Sequence, residues 1–297
     1  MFCGESVTNR AINLLIEKRG LKGHVAADRF VSDFVAYLIS IAHTKGFDPN
    51  ETLDLLENDE NLTCNTIFSQ NFRKSLMELI SPKLRNNALF MEMFPVLMRS
   101  NGKGIGIGEM VLPLIISNYR FSVESDGAYG EGKKAEIKKN GASLKPMKTG
   151  DTDKGLVDTL NRELWKGTVP GKRREKLFRA HLSAIGSNPD YSEYIKRLYP
   201  TAKDEYKAEL IAELNNNYSD KEAVCNAFGL FALKQYKSVD GWSNILYIDD
   251  ENGNIVNISN IDTLNINEMK IKFTPHLYRG RDTQAIADGY VNLTIKK

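Results

Sequence analysis

The chain has 297 residues, of which 41% are hydrophobic and 26% are charged, and its net charge is +2. This composition excludes a disordered chain, and the length allows one large domain or two smaller ones. The first ten residues lack an apolar signal-peptide core, and no apolar run is long enough to span a membrane. We therefore expect a cytoplasmic or virion-interior protein that is neither secreted by a signal peptide nor transmembrane.

The three cysteines are widely spaced and form no Cys-x-x-Cys pair. They predict neither a disulfide framework nor a zinc site. Residues 1–100 carry apolar side chains at helical spacing and acids or prolines where helices begin, so they predict a helical N-terminal region. Helices are expected at residues 25–42, from Asp48-Pro49 onward, and at residues 67–80 and 87–98.

The middle of the chain changes character at a run of alternating glycines. We expect a short helix carrying Glu109, then strands over residues 120–126 and 134–139 that are joined by the turn Gly130-Glu131-Gly132. Beyond it, residues 151–237 indicate a long helical insertion. The end of the chain, from Trp242 onward, is rich in strand signals, and residues 245–248 are expected to form a core strand beside this hairpin.

A strand over the Glu136-Ile137-Lys138 tripeptide directs the carboxylate and the ammonium to the same face, with Ile137 on the other. Asp126 comes from the neighbouring strand, so two carboxylates and one lysine are expected to converge. Hard cations such as Mg²⁺ or Mn²⁺ prefer carboxylate oxygens and commonly add a substrate phosphate. This arrangement suits hydrolysis of a phosphodiester, because a cation and an ammonium together can stabilise its developing negative charge.

These residues resemble the restriction-endonuclease-like nuclease superfamily, written PD-(D/E)XK. Its members often carry an acid on a helix, then a second acid, then Glu-x-Lys, which is the order of Glu109, Asp126 and Glu136-Ile137-Lys138. Residues 140–144 are also similar to the small-residue turn that follows the catalytic strand in nucleases of tailed phages. The resemblance covers roughly residues 102–146, and the proline in the motif's name is missing before the acid.

The resemblance implies an α/β (α+β) fold in which residues 101–297 form a mixed-sheet nuclease-like core behind the N-terminal helices. It implies that Asp126 and Glu136 bind the metal. It also implies that Lys138 assists the nucleophile and that Glu109 orients a water. The implied activity is Mg²⁺- or Mn²⁺-dependent cleavage of DNA by an endonuclease or exonuclease.

Basic residues are concentrated around this motif. Residues 101–180 carry 16 Lys and Arg against 10 Asp and Glu, whereas the segments on either side have an acidic excess. Such a local excess attracts phosphates without reading sequence, although short basic runs also serve solubility alone. The candidate nucleic-acid contacts are Lys139, Ser143, Lys145, Lys172, Arg173 and Arg174.

Four alternatives remain open at this stage. One is a helical adaptor that binds another protein through its N-terminal region, which would predict an exposed apolar patch on residues 11–98. Glu-x-Lys occurs four times in the chain, and the copy that begins at Glu268 also has strand character with acids upstream. The hairpin could be an exposed one with cross-strand charge pairs. The protein could also be a phage head or neck component that contacts packaged DNA and other virion proteins without catalysis, and the sequence leaves its oligomeric state open.

Overall fold

The computed structural model describes residues 4–99, 106–144, 192, 195–196, 199, 202–217, 221–249, 253–264, 269–279 and 285–295. Its contacts divide the chain into two units. Unit 1 comprises Met1–Asn140 and Trp242–Leu264, and unit 2 comprises Gly141–Gly241 and Asn265–Lys297. Helices and strands occur in both units, so the fold is mixed α/β, as the sequence predicts. The expected boundary at residue 100 and most of the expected insertion at residues 151–237 lie outside the described residues.

Helices dominate the N-terminal part of unit 1. Seven α-helices lie among its described residues: α1 Gly4–Asn13, α2 Val25–Lys45, α3 Pro49–Glu57, α4 Leu76–Leu79, α5 Pro82–Arg85, α6 Ala88–Leu97 and α7 Ile107–Ile115. Helix α2 buries an apolar stripe and ends at Gly46, whose positive φ of 73° closes the last turn. Helix α3 begins where Asp48 accepts a hydrogen bond from the Asn50 amide at 2.9 Å. These two helices, and α6, lie where the sequence predicts them.

The expected helix over residues 67–80 is wrong. A 3₁₀ turn at Asn65–Ser69 is followed by a strand at Phe72–Ser75 and by the single turn of α4. The strand pairs antiparallel with residues 254–257, nearly two hundred positions later in the chain. A pairing partner so distant leaves no trace in local periodicity, so tertiary contact overrides the helical spacing here.

The described residues contain nine strands: β1 Phe72–Ser75, β2 Tyr119–Phe121, β3 Gly127–Tyr129, β4 Lys133–Lys139, β5 Ser143–Leu144, β6 Asn244–Asp249, β7 Asn254–Ile258, β8 Met269–Arg279 and β9 Ala285–Ile295. Unit 1 holds a six-stranded sheet in the order β1-β7-β6-β4-β3-β2. Strands β4 and β6 are parallel and the other pairs are antiparallel. The sheet is therefore mixed, and β6 lies beside the hairpin, as expected for residues 245–248.

One face of this sheet packs on helix α7 to form part of the unit 1 core. Ile137 of β4 and Ile248 of β6 lie in the core with the buried residues of α7. A Cβ added to Gly108 would lie 2.0 Å from the Ile248 Cδ1 atom, so the helix backbone approaches the sheet closely. Each fully buried leucine or isoleucine contributes about 1.5–3 kcal/mol to folding. This packing fixes α7, and with it Glu109, against the strands of the hairpin.

Unit 2 contains helices α8 Asp204–Asn217 and α9 Lys221–Asp240 among its described residues. Its sheet has the order β5-β9-β8, and β8 and β9 pair antiparallel along their full length. The strand-rich C-terminal part of the chain is thus confirmed. No helix in the described parts of either unit is both long and apolar enough to cross a membrane.

Candidate active site

The hairpin of β3 and β4 brings the motif residues together. Gly130 and Gly132 take positive φ values of 54° and 71° in the turn, a conformation that costs glycine little. Gly127 pairs with Ala135 across the two strands. Continuing that antiparallel register by one residue sets Asp126, just before β3, opposite Glu136. The connection through residues 130–132 is therefore as predicted. The expected single strand over residues 120–126 is wrong, because only residues 120–121 belong to a strand, β2, and Asp126 lies in the segment between β2 and β3.

Strand β4 separates charged from apolar side chains by its period of two. Ile137 joins the apolar core, whereas Glu136 and Lys138 form an ion pair with each other. The Lys138 Nζ atom also lies 3.7 Å from the Asp126 Oδ2 atom. The Glu136 side chain is only 6% exposed and that of Lys138 is 26% exposed. Two carboxylates thus share one half-buried ammonium, which is the convergence that the tripeptide predicts.

Asp126 is anchored through one of its two carboxylate oxygens. Its Oδ2 atom accepts a hydrogen bond of 2.8 Å from the Ile137 backbone amide. The Oδ1 atom has no hydrogen-bond partner among the residues that the structure describes. The carboxylate is therefore oriented by the β4 backbone while one oxygen is left to engage another group.

Glu109 lies in the first turn of α7, where its Oε1 atom accepts a hydrogen bond of 2.8 Å from the Gly106 amide. Burial raises the pKa of Glu109 to about 7, and the negative charge of Asp126 adds to this shift. The Gly106 hydrogen bond and the Lys138 charge oppose it, while Glu136 reinforces it. Glu109 is thus both a helix cap and a carboxyl group that titrates near neutrality within the field of the other three side chains.

Lys138 is subject to opposing effects. Burial by itself lowers the pKa of Lys138, but the hydrogen bond and charge of Glu136, together with Asp126 and Glu109, outweigh it, so the net shift is upward. The ammonium is therefore charged at neutral pH. Its position is held by the neighbouring carboxylates. The Lys138 ammonium is therefore a fixed positive charge beside the Asp126 and Glu136 oxygens that could bind a cation.

The donor set of this site is compatible with a hard divalent cation. Mg²⁺ usually retains several waters and needs one or two carboxylates from the protein, and Asp126 and Glu136 supply two. The described residues hold no group of three or more His, Cys, Asp or Glu side chains placed to bind a metal ion. The fit therefore rests on two carboxylates, with further ligands left to water and substrate.

Tyr119 is a residue near the site that the sequence gives no reason to select. It lies on β2, it is fully buried, and its hydroxyl has no hydrogen-bond partner among the described residues. Burial raises the pKa of Tyr119 well above its usual value, and the charge of Asp126 adds to the shift, followed by Tyr129 and Glu109. A single tyrosine in a short strand is part of no recognisable sequence motif, so its position near Asp126 could be found only from the fold.

The candidate nucleic-acid contacts are placed only in part. Lys139 is exposed at the end of β4 in unit 1. Ser143 belongs to β5 in unit 2, where its backbone pairs with Asn292. Lys145, Lys172, Arg173 and Arg174 lie outside the described residues, as does Glu268 of the competing Glu-x-Lys copy.

Comparisons of this chain with protein-family models, with curated proteins and with solved structures gave no match. The assignment of a function therefore depends on the site itself.

Proposed function

We propose that the protein is a metal-dependent DNA nuclease of the PD-(D/E)XK type that hydrolyses phosphodiester bonds with Mg²⁺ or Mn²⁺. One observation carries the proposal: Lys138 contacts both Glu136 and Asp126 at one edge of the hairpin. The single ammonium balances only one of the two carboxylate charges, and like charges disfavour the ionised form of each carboxylate. A cation held between them would relieve that repulsion.

Asp126 and Glu136 would hold the cation. Asp126 is oriented for this role because its Oδ2 atom is fixed by the Ile137 amide, which leaves Oδ1 for a ligand. When bound, a divalent cation supplies Lewis-acid activation of water and neutralises charge on the phosphate. Glu136 is held by Lys138 and buried, so it needs no large rearrangement to present its oxygens.

Lys138 would stabilise the negative charge that develops on the phosphoryl oxygens. Its pKa is raised by Glu136 against the opposing effect of burial, so it remains protonated through the neutral range. A preorganised positive charge in a partly buried site stabilises a transition state more strongly than the same charge in water. The Lys138 side chain is 26% exposed, which leaves part of it open to a substrate on the solvent side.

Glu109 would orient the attacking water and accept its proton. Its pKa of about 7 leaves a large fraction of the group ionised at neutral pH, which suits a general base. The Gly106 amide holds Oε1, and Oε2 has no hydrogen-bond partner in the part of the chain that the structure describes. Lys139, which is exposed at the end of β4, is the candidate for a further phosphate contact.

The experiment that tests this function is cleavage of labelled linear and circular DNA with Mg²⁺, with Mn²⁺ and with a chelator. The parent chain is compared with Asp126→Asn, Glu136→Gln and Lys138→Met, each checked for folding by circular dichroism. Glu205→Gln is the matched control, since Glu205 belongs to another Glu-x-Lys copy, on α8. Cleavage should require the metal, survive in the control and fall by at least about 100-fold in the three site variants.

Two results would contradict the proposal. A folded parent chain that cuts neither substrate in either metal removes the catalytic assignment, and DNA binding without cutting would favour a virion protein that only contacts DNA. Equal cleavage by the parent chain and the three site variants would instead place the chemistry elsewhere in the chain.

A further inference from the structure

A glycine at position 127 is not explained by the backbone. Gly127 lies in the ladder of β3, paired with Ala135, and its φ is not among the positive values of this chain. Any residue could adopt this extended conformation. The reason for glycine must therefore lie in the space around its Cα atom.

Tyr119 fills that space. A Cβ built on Gly127 would lie 1.8 Å from the Tyr119 Oη atom, 2.3 Å from Cζ and 2.6 Å from Cε1. The ring cannot easily retreat, because it stacks on Tyr129 with centroids 5.9 Å apart and packs on Phe68 at the same centroid distance. Tyr119 is fully buried, so the glycine backbone and the tyrosine tip fit against each other inside the core.

Simple packing does not require the hydroxyl. It is buried and has no hydrogen-bond partner among the described residues, an arrangement that costs stability relative to a phenylalanine ring. Buried polar groups are normally hydrogen-bonded, and exceptions to this rule often occur at functional sites. This hydroxyl contacts Gly127, which directly follows Asp126. The Asp126 carboxylate is among the charges that raise the pKa of the Tyr119 phenol.

We infer that Tyr119 is a positioning residue for Asp126. Its hydroxyl end packs against the Gly127 backbone and so holds the Asp126 carboxylate within hydrogen-bond reach of the Ile137 amide in β4. The inference rests on the proposed function, since it concerns how the proposed cation site is kept in place. Asp126 lies outside the β3 ladder, so its own backbone is not held by the strand pair. The Ser125 hydroxyl donates a long hydrogen bond of 3.4 Å to the Gly127 carbonyl. The Tyr119–Gly127 contact adds a packing constraint on this side, and the Ile137 amide constrains the carboxylate on the other.

The test uses the full chain with four variants: Gly127→Ala, the double variant Gly127→Ala/Tyr119→Leu, Tyr119→Phe and the control Ala128→Ser. Leucine lacks all three ring atoms that would meet the new Cβ. Ala128 is the next residue of the same strand and gains one heavy atom in the control. Two assays are used: thermal unfolding, which gives the melting temperature and the Mn²⁺ concentration that half-saturates its rise, and DNA cleavage, which gives kcat and KM.

Gly127→Ala should lower kcat by about 100-fold with KM within about threefold, because a displacement near 1 Å is enough to misalign a catalytic group. Its half-saturating Mn²⁺ concentration should rise by at least about tenfold. Adding Tyr119→Leu should recover about tenfold of the lost kcat, since it removes the clash, but kcat should stay about tenfold below that of the parent chain, since the contact that holds Gly127 is also lost. Tyr119→Phe should keep or raise the melting temperature while weakening the Mn²⁺ response, a combination that a purely structural role would not produce.

Three outcomes would overturn the inference. Gly127→Ala and Tyr119→Phe could both match Ala128→Ser in Mn²⁺ response and in kcat. The folded double variant could recover the full kcat of the parent chain, which would show that Tyr119 is not needed to hold Asp126. A parent chain without any Mn²⁺ response would overturn the proposed function together with this inference, whereas the first two outcomes leave that function standing.

Discussion

The same tripeptide pattern, Glu-x-Lys, forms different contacts in strand β4 and in helix α8. In β4, Glu136 and Lys138 form an ion pair with each other. In α8, Glu205 lies 3.8 Å from Lys203, and Lys207 pairs with Asp204 at 2.8 Å. Residues two apart share a face in a strand but not in a helix. Secondary structure therefore decides whether this pattern gathers its charges or disperses them.

The two copies also differ in their surroundings. The Glu136 side chain is 6% exposed, whereas that of Glu205 is 64% exposed. The strand copy has a second carboxylate, Asp126, within 3.7 Å of its lysine. Lys207 of the helix copy is also buried, but its partner Asp204 is 95% exposed, so of these two copies it is the strand copy that pairs a buried carboxylate with a partly buried ammonium. Partly buried charges interact more strongly than solvated ones.

The largest effect is expected from exchanging the two charges of the strand copy. Glu136→Lys/Lys138→Glu retains both charges but exchanges the positions of the carboxylate and the ammonium beside Asp126, so DNA cleavage should fall by at least about 100-fold. The same exchange in the exposed turn copy, Glu131→Lys/Lys133→Glu, is the matched control and should leave cleavage unchanged. Initial rates on labelled DNA measure both. An equal loss of DNA cleavage in the two variants would show that cleavage does not depend on the location of the Glu-x-Lys pattern in β4.

The next effect concerns stability. Lys138→Met takes the ammonium away from the buried Glu136 and should cost about 3 kcal/mol of unfolding free energy. Lys207→Met takes a partner from Asp204, which is 95% exposed and remains hydrated, so little or no change is expected. Urea unfolding at neutral pH compares the two variants. A Lys207→Met loss as large as that of Lys138→Met would break the contrast between the copies.

A smaller effect is expected from pH, through the third carboxyl near the strand copy. The folded Glu109 carboxyl holds its proton up to about pH 7, against an ordinary pKa of 4.5. Between these values the folded state binds more protons than the unfolded state, so the unfolding free energy decreases as the pH rises from about 4.5 to 7. After allowance for partial exposure, the decrease should be about 2 kcal/mol.

Glu109→Gln should abolish that decrease. Urea unfolding of the parent chain and of Glu109→Gln at pH 5 and pH 8 measures it, with the variant gaining stability relative to the parent at the higher pH. Parallel pH profiles for the two proteins would mean that Glu109 does not titrate in this range.

The smallest effect is expected for the turn copy of the pattern. Glu131 and Lys133 are exposed, so Glu131→Ala/Lys133→Ala should change the unfolding free energy by no more than about 0.5 kcal/mol. Thermal unfolding is a sufficient measurement. A change above about 1 kcal/mol would indicate that the hairpin depends on its turn charges and would favour the reading in which cross-strand charge pairs explain the motif.

Much of the site could be predicted from short stretches of sequence. Turn glycines at 130 and 132 fix the hairpin, and the period of two fixes the common face of Glu136 and Lys138. Helices α2 and α3 follow from apolar spacing and caps. All of these features depend on residues within a few positions of one another, which is why local patterns suffice.

Other features depended on distant parts of the chain. The residues of β1 have helical spacing and predict a helix. Their pairing as a strand could not be predicted, because the partner strand β7 lies far along the sequence. The raised pKa of Glu109 arises from burial by the fold, and the contact between Tyr119 and Gly127 arises from strand pairing and aromatic packing. No local spacing in the sequence predicts the burial of the Glu109 carboxyl or the van der Waals contact between Tyr119 and Gly127.

The sequence alone determined the local geometry of this protein, namely which side chains share a face, where the helices begin and where the chain turns, because bonded neighbours and backbone dihedral preferences control these features. Among the Glu-x-Lys copies that the structure describes in full, the tertiary structure decided that the one in β4 has a buried glutamate and a second carboxylate beside its lysine. That choice required strands and a helix from separate segments to pack together, and the resulting exclusion of water is what strengthens the charges of the candidate site.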